Sequence, residues 1–347
     1  MGIAFSLGAV VALMLIAWLG AEVAGLKLLF GVIIPYLAVA TFIVGIVYRL
    51  LTWARSPVAF RIPTTAGQQK TLPWLKDSPV ENPSTLGGVV VRMILEIVLF
   101  RSLFRNLRTE LRGGPKLDYV SSKWLWLGAM LFHYAFLVTL LRHLRFFTEP
   151  VPGLITLLES LDGLFEMGPS PFSSLPGLML SGLLLFIALL FLFGRRIFIR
   201  PLRYISLAND YFPLFLIMAI ALTGMLMRYV LRVDVVSIKE LAMGLVAFQP
   251  VLPEGISVWF FIHLFLVCVL FAYFPFSKLL HAPGVFLSPT RVYANNNRMK
   301  RHVNPWDYPV KVHTYEEYEE EFREAMIEAG LPVEKELAEE AEAEEKE

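Results

Sequence analysis

Six stretches of this chain are apolar over lengths close to the roughly 20 residues a helix needs to cross about 30 Å of hydrocarbon. They cover residues 3–19, 28–47, 124–147, 175–193, 211–230 and 258–280. In lipid, every backbone polar group must be satisfied internally, which leaves helices or closed barrels as spanning structures. Runs this long suit helices, so the sequence predicts an all-α integral membrane protein with six transmembrane helices. Composition agrees. Only 18% of the 347 residues are charged and mean hydropathy is +0.60, against about a quarter charged in soluble domains. The first stretch lacks a basic segment before it and a clear small-residue cleavage site after it. It is expected to be a retained helix rather than a cleaved signal peptide.

Lysine and arginine divide unevenly between the two sets of connections. Residues 49–123 carry 12, 195–203 carry four and 278–314 carry six, whereas the alternate loops carry one, two and three. The positive-inside rule puts the rich set in the cytoplasm, and both termini with it. Trp53 and Trp124 then fall near the inner boundary and Trp259 near the outer one. Residues 84–112 mix an apolar half with Arg92, Arg101, Arg105 and Arg108 and read as an interfacial helix on the cytoplasmic side. Residues 154–165 and 236–248 read as short amphipathic helices over the outer surface. Formal net charge is +1, but residues 316–347 alone carry −12, leaving +13 on everything before them. That acidic tail is expected to be a solvated helix ending in disorder, or a docking arm. The expected organisation is two membrane helices over 1–50, a cytoplasmic segment over 51–120, a four-helix core over 121–281 and a cytoplasmic tail over 282–347. No internal repeat is evident, and no nucleic-acid partner is expected.

The single cysteine, Cys268, excludes an internal disulfide, a CxxCH haem attachment and an all-thiolate iron–sulfur site. No GxGxxG, GKS/T or HExxH motif is present. Histidine carries the chemical signal instead. Four of six histidines lie in apolar stretches: His133 and His143 in the third, His263 and His281 in the sixth. An ionisable group at membrane depth is costly and suggests function, although any one of them would also suit a neutral imidazole bonded to a neighbouring helix. His263 and His281 are 18 residues apart, about five helical turns, and so share a face. His133 and His143 are 10 apart, about 15 Å along the axis and offset by roughly 80°. No HxxxH or HxxH pair exists, so each histidine needs a partner on another helix. The third and sixth spans run antiparallel, which pairs His143 with His263 on the outer side and His133 with His281 on the inner side. Two such pairs suit two bis-histidine b-type haems. The unequal rises strain flat, parallel haems, and a kink at Pro275 offers some relief. A zinc or copper site is the competing metal reading and needs three or four converging ligands.

Arg142 and Arg145 flank His143, and Lys278 lies one turn before His281. Each either contacts a haem propionate or snorkels to the interface, and Arg228 at the end of the fifth span has the same two readings. Glu149, Glu159, Asp162 and Glu166 either accept protons or are solvated charges, the latter being the expectation. His302 and His313 are expected to be solvated or to contact a partner.

The segments FFIHLFLVCVLFAYFPFSKLLH (260–281), LFHYAFLVTLLRHLRFF (131–147), GRRIF (194–198) and IPYLAVATFIVGIVYRL (34–50) resemble the membrane cytochrome b family of the respiratory nitrate reductase gamma subunit. The resemblance covers about residues 30–290. It implies a dihaem bundle with two b haems held by His133, His143, His263 and His281 as axial ligands to iron. It also implies oxidation of quinol (menaquinol or similar) near the outer haem, and electron transfer to a cytoplasmic subunit. The extra N-terminal span, the long 52–120 segment and the 282–347 tail look more like the DsrM branch, from the DsrMKJOP complex of sulfur-metabolising prokaryotes. That likeness implies a DsrK-like iron–sulfur partner of the heterodisulfide-reductase type, further complex subunits, a role in dissimilatory sulfur metabolism and a place in the prokaryotic cell (inner) membrane. The expected role is an electron-transfer subunit of a membrane quinone oxidoreductase complex. The alternatives are a nitrate-reductase-type gamma subunit, a haem-free proton-relay transporter and a plain membrane anchor.

Overall fold

The computed structural model describes residues 2–56, 67–105, 108–114, 116–163, 178–296, 309 and 312–334. The chain divides into two units, Met1–Lys300 and Arg301–Glu347. In the first, α1 (Gly2–Trp18) continues through a π-helical turn, Leu19–Val23, and a second π turn, Leu29–Ile33, leads into α2 (Ile34–Arg55). Next come α3 (Leu86–Leu99), α4 (Arg101–Arg105) and an antiparallel hairpin of β1 (Arg108–Arg112) and β2 (Lys116–Val120). Then follow α5 (Lys123–His143), α6 (Gly153–Asp162), α7 (Leu180–Phe198), α8 (Arg200–Ile205) and α9 (Ala208–Met225), which ends in a π turn, Leu226–Leu231. The unit closes with α10 (Val235–Val246), α11 (Val258–Tyr273), α12 (His281–Gly284) and α13 (Pro289–Val292).

Among the described residues, six helical segments are long and apolar enough to cross a membrane: Gly2–Val23, Leu29–Arg55, Lys123–Phe146, Leu180–Phe198, Ala208–Leu231 and Val258–Phe276. These are the six expected spans, and the protein is an all-α, multi-pass membrane protein. Apolar side chains cover the outside of the bundle, among them Leu37, Val44 and Val230 at 61%, 67% and 68% exposure. Leucine gains little by leaving lipid for a helix interface, so membrane helices associate through small residues and interhelical hydrogen bonds. Both occur here. α5 packs on α7, α1 on α9, and α11 against α1, α2 and α9. Gly128 of α5 lets Phe191 of α7 approach so closely that a Cβ would lie 2.5 Å from its ring. Ser6 in α1 donates to the Ala208 carbonyl at 2.9 Å, tying α1 to the start of α9.

Three local expectations differ from the structure. The fourth span begins at Leu180 rather than 175 and runs to Phe198, so Arg195 and Arg196 form its last turn; residues 164–177 lie outside the described set. The sixth span does not continue to His281. Pro275 has no backbone N–H to donate, and the chain tightens into 3₁₀ turns at Phe274–Phe276 and Lys278–Leu280, with Ser277 extended between them. His281 therefore opens a separate short helix, and the shared face inferred from an unbroken helix is lost. The interfacial helix expected over 84–112 stops at Leu99, where Phe100 takes a left-handed conformation (φ 47°). Its polar face is covered rather than solvated. Arg92 is 6% exposed and donates to the Thr290 carbonyl at 3.1 Å. Burial, reinforced by Arg291, holds the Arg92 guanidinium below its ordinary pKa. Nearby, Glu81 pairs with Arg101, and Glu96 pairs with Arg291 at 3.0 Å. The hairpin that replaces the end of the expected helix turns at Gly113 and Gly114, both at positive φ.

In the second unit, α14 (Tyr315–Glu328) carries a reciprocal capping box between Thr314 and Glu317. His313 lies 3.6 Å from the Glu317 carboxylate. The acidic tail therefore begins as a helix; residues 335–347, and His302, lie outside the described set.

Candidate functional site

The bundle brings the four membrane histidines together in two pairs, one at each end. His133 sits in the middle of α5 and His281 at the start of α12, with ring centroids 6.0 Å apart and planes at 87°. Phe100 and Phe132 pack edge-on against His133, each at 5.0 Å. At the other end, His143 is the last residue of α5 and His263 lies in the second turn of α11. They are near enough to interact electrostatically.

Each imidazole makes a hydrogen bond through Nδ1. His133 reaches the Ala129 carbonyl at 2.7 Å, His143 the Thr139 carbonyl at 2.6 Å and His281 the Lys278 carbonyl at 2.9 Å. A carbonyl only accepts, so in these three Nδ1 carries the proton. His263 Nδ1 lies 2.9 Å from the Thr223 hydroxyl. That hydroxyl donates to the Ala219 carbonyl at 2.8 Å, so it accepts from His263, which has the same tautomer. In all four rings the lone pair is then on Nε2. A metal-bound histidine is held in this way, with its other ring N–H given to a carbonyl or similar acceptor that orients the ring and raises its basicity.

The spacing also suits an ion between two rings. Metal–nitrogen bonds of about 2.0 Å, with roughly 1.1 Å from each nitrogen to its ring centroid, put two ligating imidazoles about 6 Å apart. His133 and His281 stand at that distance. The helices that carry most of this chemistry, α5 and α11, are not a closely packed pair. Gly224 of α9 adds clearance at the second pair: a Cβ there would lie 3.3 Å from His263 Cε1. His143 and His281 are more exposed than His133 and His263, which leaves ring surface for a planar apolar group to cover. Among the described residues no group of three or more His, Cys, Asp or Glu converges on a point, so the zinc or copper reading finds no ligand set there. The donor set fits bis-imidazole haem.

The flanking charges are already engaged. Arg142 binds Asp162 at 2.5 Å and Ser181 Oγ at 3.1 Å, and Asp162 also accepts from the Ser181 N–H at 2.6 Å. Arg145 pairs with Glu159 at 2.8 Å, and Lys278 with Asp210 at 2.6 Å. Asp162, expected to be solvated, is 7% exposed: its helix α6 packs on α5, and its carboxylate accepts from Ser181 at the start of α7. Glu149 pairs with Lys239, and Glu166 lies outside the described residues. Thr223, Gly224 and Phe100 escaped the sequence reading. The only linear trace of the first two is a Thr–Gly step inside an otherwise apolar span.

The family model described as nitrate reductase gamma subunit matches residues 116–298, slightly over half of the chain and all four of these histidines. The chain belongs to the nitrate reductase gamma subunit family. The match begins at β2 and takes in α5 through α13, while α1 and α2 precede it. Two relatives extend the likeness. The "Hdr-like menaquinol oxidoreductase cytochrome b-like subunit" of Archaeoglobus profundus is 43% identical over 280 residues, covering 79% of this chain and 81% of the relative. The protein of the same description from Archaeoglobus fulgidus is 44% identical over 289 residues, covering 80% and 83%.

Proposed function

We propose that this gamma-subunit family member is a membrane cytochrome b that moves electrons between the quinone pool and a cytoplasmic iron–sulfur partner through two b haems. The observation that carries the reading is the hydrogen-bond pattern: four membrane histidines, arranged in two pairs, each with Nδ1 against a carbonyl or hydroxyl oxygen, the contact that leaves the lone pair on Nε2. On this reading His143 and His263 hold one haem, and His133 and His281 the other. When bound, the haems supply one-electron transfer. The chain supplies the ligands, their orientation and a dry apolar surround. The acceptors Ala129, Thr139, Thr223 and Lys278 fix the rings. Phe100 and Phe132 exclude water beside His133. Any propionate contact made by Arg142, Arg145 or Lys278 is shared with Asp162, Glu159 or Asp210.

Quinone reacts at the His143–His263 end, which is the outer side, and the partner docks at the opposite, cytoplasmic end. Supporting this are the 22 lysines and arginines in the connections on the His133 side, against six on the other. The His143 end is covered by α6 and α10, which expose Leu154, Leu157, Val236 and Val246; such a surface suits a lipid-soluble substrate better than a soluble protein. Both termini are cytoplasmic, in a prokaryotic cell membrane. The relatives' description supports menaquinol as the quinone and a partner of the heterodisulfide-reductase type, as in the DsrM–DsrK arrangement of sulfur metabolism. A molybdenum-dependent nitrate reductase partner is the second reading, favoured by the family description alone.

The test is to reduce isolated membranes with a menaquinol analogue and to identify subunits that co-purify with the tagged chain. The reading expects reduction of b-type haem and an iron–sulfur subunit of the heterodisulfide-reductase type. No haem reduction defeats the quinone assignment, and a molybdenum subunit establishes the second reading.

A further inference from the structure

At the His143–His263 end, Arg142 and Arg145 are committed to carboxylates, Arg142 to Asp162 and Arg145 to Glu159. Arg228 is differently placed. It lies four residues after Gly224, and residues i and i+4 share a helix face. Gly224 is the position whose Cβ would approach His263 Cε1 to 3.3 Å. Arg228 therefore stands one turn further along the face that α9 turns toward His263. The intervening backbone is the π turn Leu226–Leu231, an uncommon geometry frequent at functional sites. The turn is pinned: Tyr229 accepts a hydrogen bond from the Met179 N–H at 2.8 Å, and Arg232 closes it in a left-handed conformation. The backbone that carries Arg228 is thus held on both sides. Its guanidinium lies 5.8 Å from the Tyr229 ring centroid. Its Nε is buried and finds no hydrogen-bond partner among the described residues.

We propose that Arg228 is the propionate anchor of the haem held by His143 and His263. The inference rests on the two-haem reading above. A haem presents two carboxylates, and a carboxylate leaving water for the edge of an apolar bundle needs a paired, hydrogen-bonded cation. A guanidinium is the side chain that matches a carboxylate bidentately, through Nε and one Nη; Arg142 also has an unpartnered Nε but is bound to Asp162, whereas Arg228 pairs with no carboxylate among the described residues. Arg142 and Arg145 balance charge within the protein, whereas Arg228 balances charge on the cofactor. It is a positioning and electrostatic residue. Its positive charge disfavours the ferric state of the haem beside it and raises that haem's potential.

The experiment is a redox titration of the purified holoprotein as wild type, Arg228→Gln, Arg228→Lys and Arg145→Gln, with haem content measured for each. The component belonging to the His143–His263 pair is identified by its loss in His263→Ala. Arg228→Gln should lower the potential of that component by the equivalent of at least a tenfold change in its one-electron equilibrium, about 59 mV. The other component should not move. Arg228→Lys, which keeps the charge but not the fork, should shift it less and in the same direction. Arg145→Gln should shift it less than Arg228→Gln. An unmoved component in whichever Arg228 variants accumulate overturns the proposal, as does an equal shift of both components. Absence of haem from the wild-type protein instead defeats the underlying two-haem reading.

Discussion

Thr223→Val probes the support of a single ligand with the least change in shape. Thr223 accepts from His263 Nδ1–H at 2.9 Å while donating to the Ala219 carbonyl. Valine fills the same volume and removes both bonds. An unsatisfied buried donor costs about 1–3 kcal/mol, and loss of such an outer partner lowers metal affinity by roughly 10–100-fold. The Ile220 carbonyl remains within reach of the same imidazole, which places the expected loss at the low end, about tenfold or about 1.4 kcal/mol. The assay is the release rate of each haem from purified protein into an excess of a haem-scavenging apoprotein. The component lost in His263→Ala should leave about ten times faster, and the other should be unchanged. Thr139→Val is the control. His143 bonds to the Thr139 carbonyl and not to its hydroxyl, which instead meets Ser181 Oγ at 3.2 Å, so neither release rate should change. An unchanged rate in Thr223→Val, or equal acceleration of both haems, would refute the reasoning.

His133→Ala and His281→Ala should lose the same spectral component, and His143→Ala and His263→Ala the other; loss of one component by both His143→Ala and His281→Ala would break the pairing. Gly224→Ala should keep both haems, because its Cβ meets His263 Cε1 at 3.3 Å and a few tenths of an ångström of adjustment suffice. Gly224→Val should lose the His263 component, read by low-temperature absorption spectra. Asp162→Asn should cost about 3 kcal/mol, because it leaves the buried Arg142 charge unbalanced; a thermal midpoint in detergent equal to wild type would show that the pair carries no stability.

How much of this was legible in the sequence depended on the range of the signal. Six spans follow from runs of apolar residues about 20 long, a signal no local detail overrides. The pairing of the histidines follows from the opposite directions of the third and sixth spans, because that alternation needs no side-chain geometry. Local backbone chemistry was harder. Pro275 was recognised as a kink, yet the break extends through Ser277 and gives His281 a helix of its own. The β1–β2 hairpin hides in a charged stretch, Arg108–Val120, whose clearest signal is the Gly113–Gly114 turn. Least legible were the contacts that hold the rings. Thr223 and His263 are 40 residues apart on different helices, and a hydroxyl in an apolar span does not announce its partner. Arg142 and Asp162 likewise looked like independent interfacial charges until α6 packed on α5.

The central claim, two bis-histidine haems in one chain, is tested most directly by counting haem. A pyridine haemochrome assay against protein mass, on chain purified from haem-replete cells, should give a ratio near two. Low-temperature electron paramagnetic resonance of the oxidised protein should show two low-spin ferric signals. A ratio near one would dissolve one of the two pairs, and a ratio near zero would contradict the account as a whole.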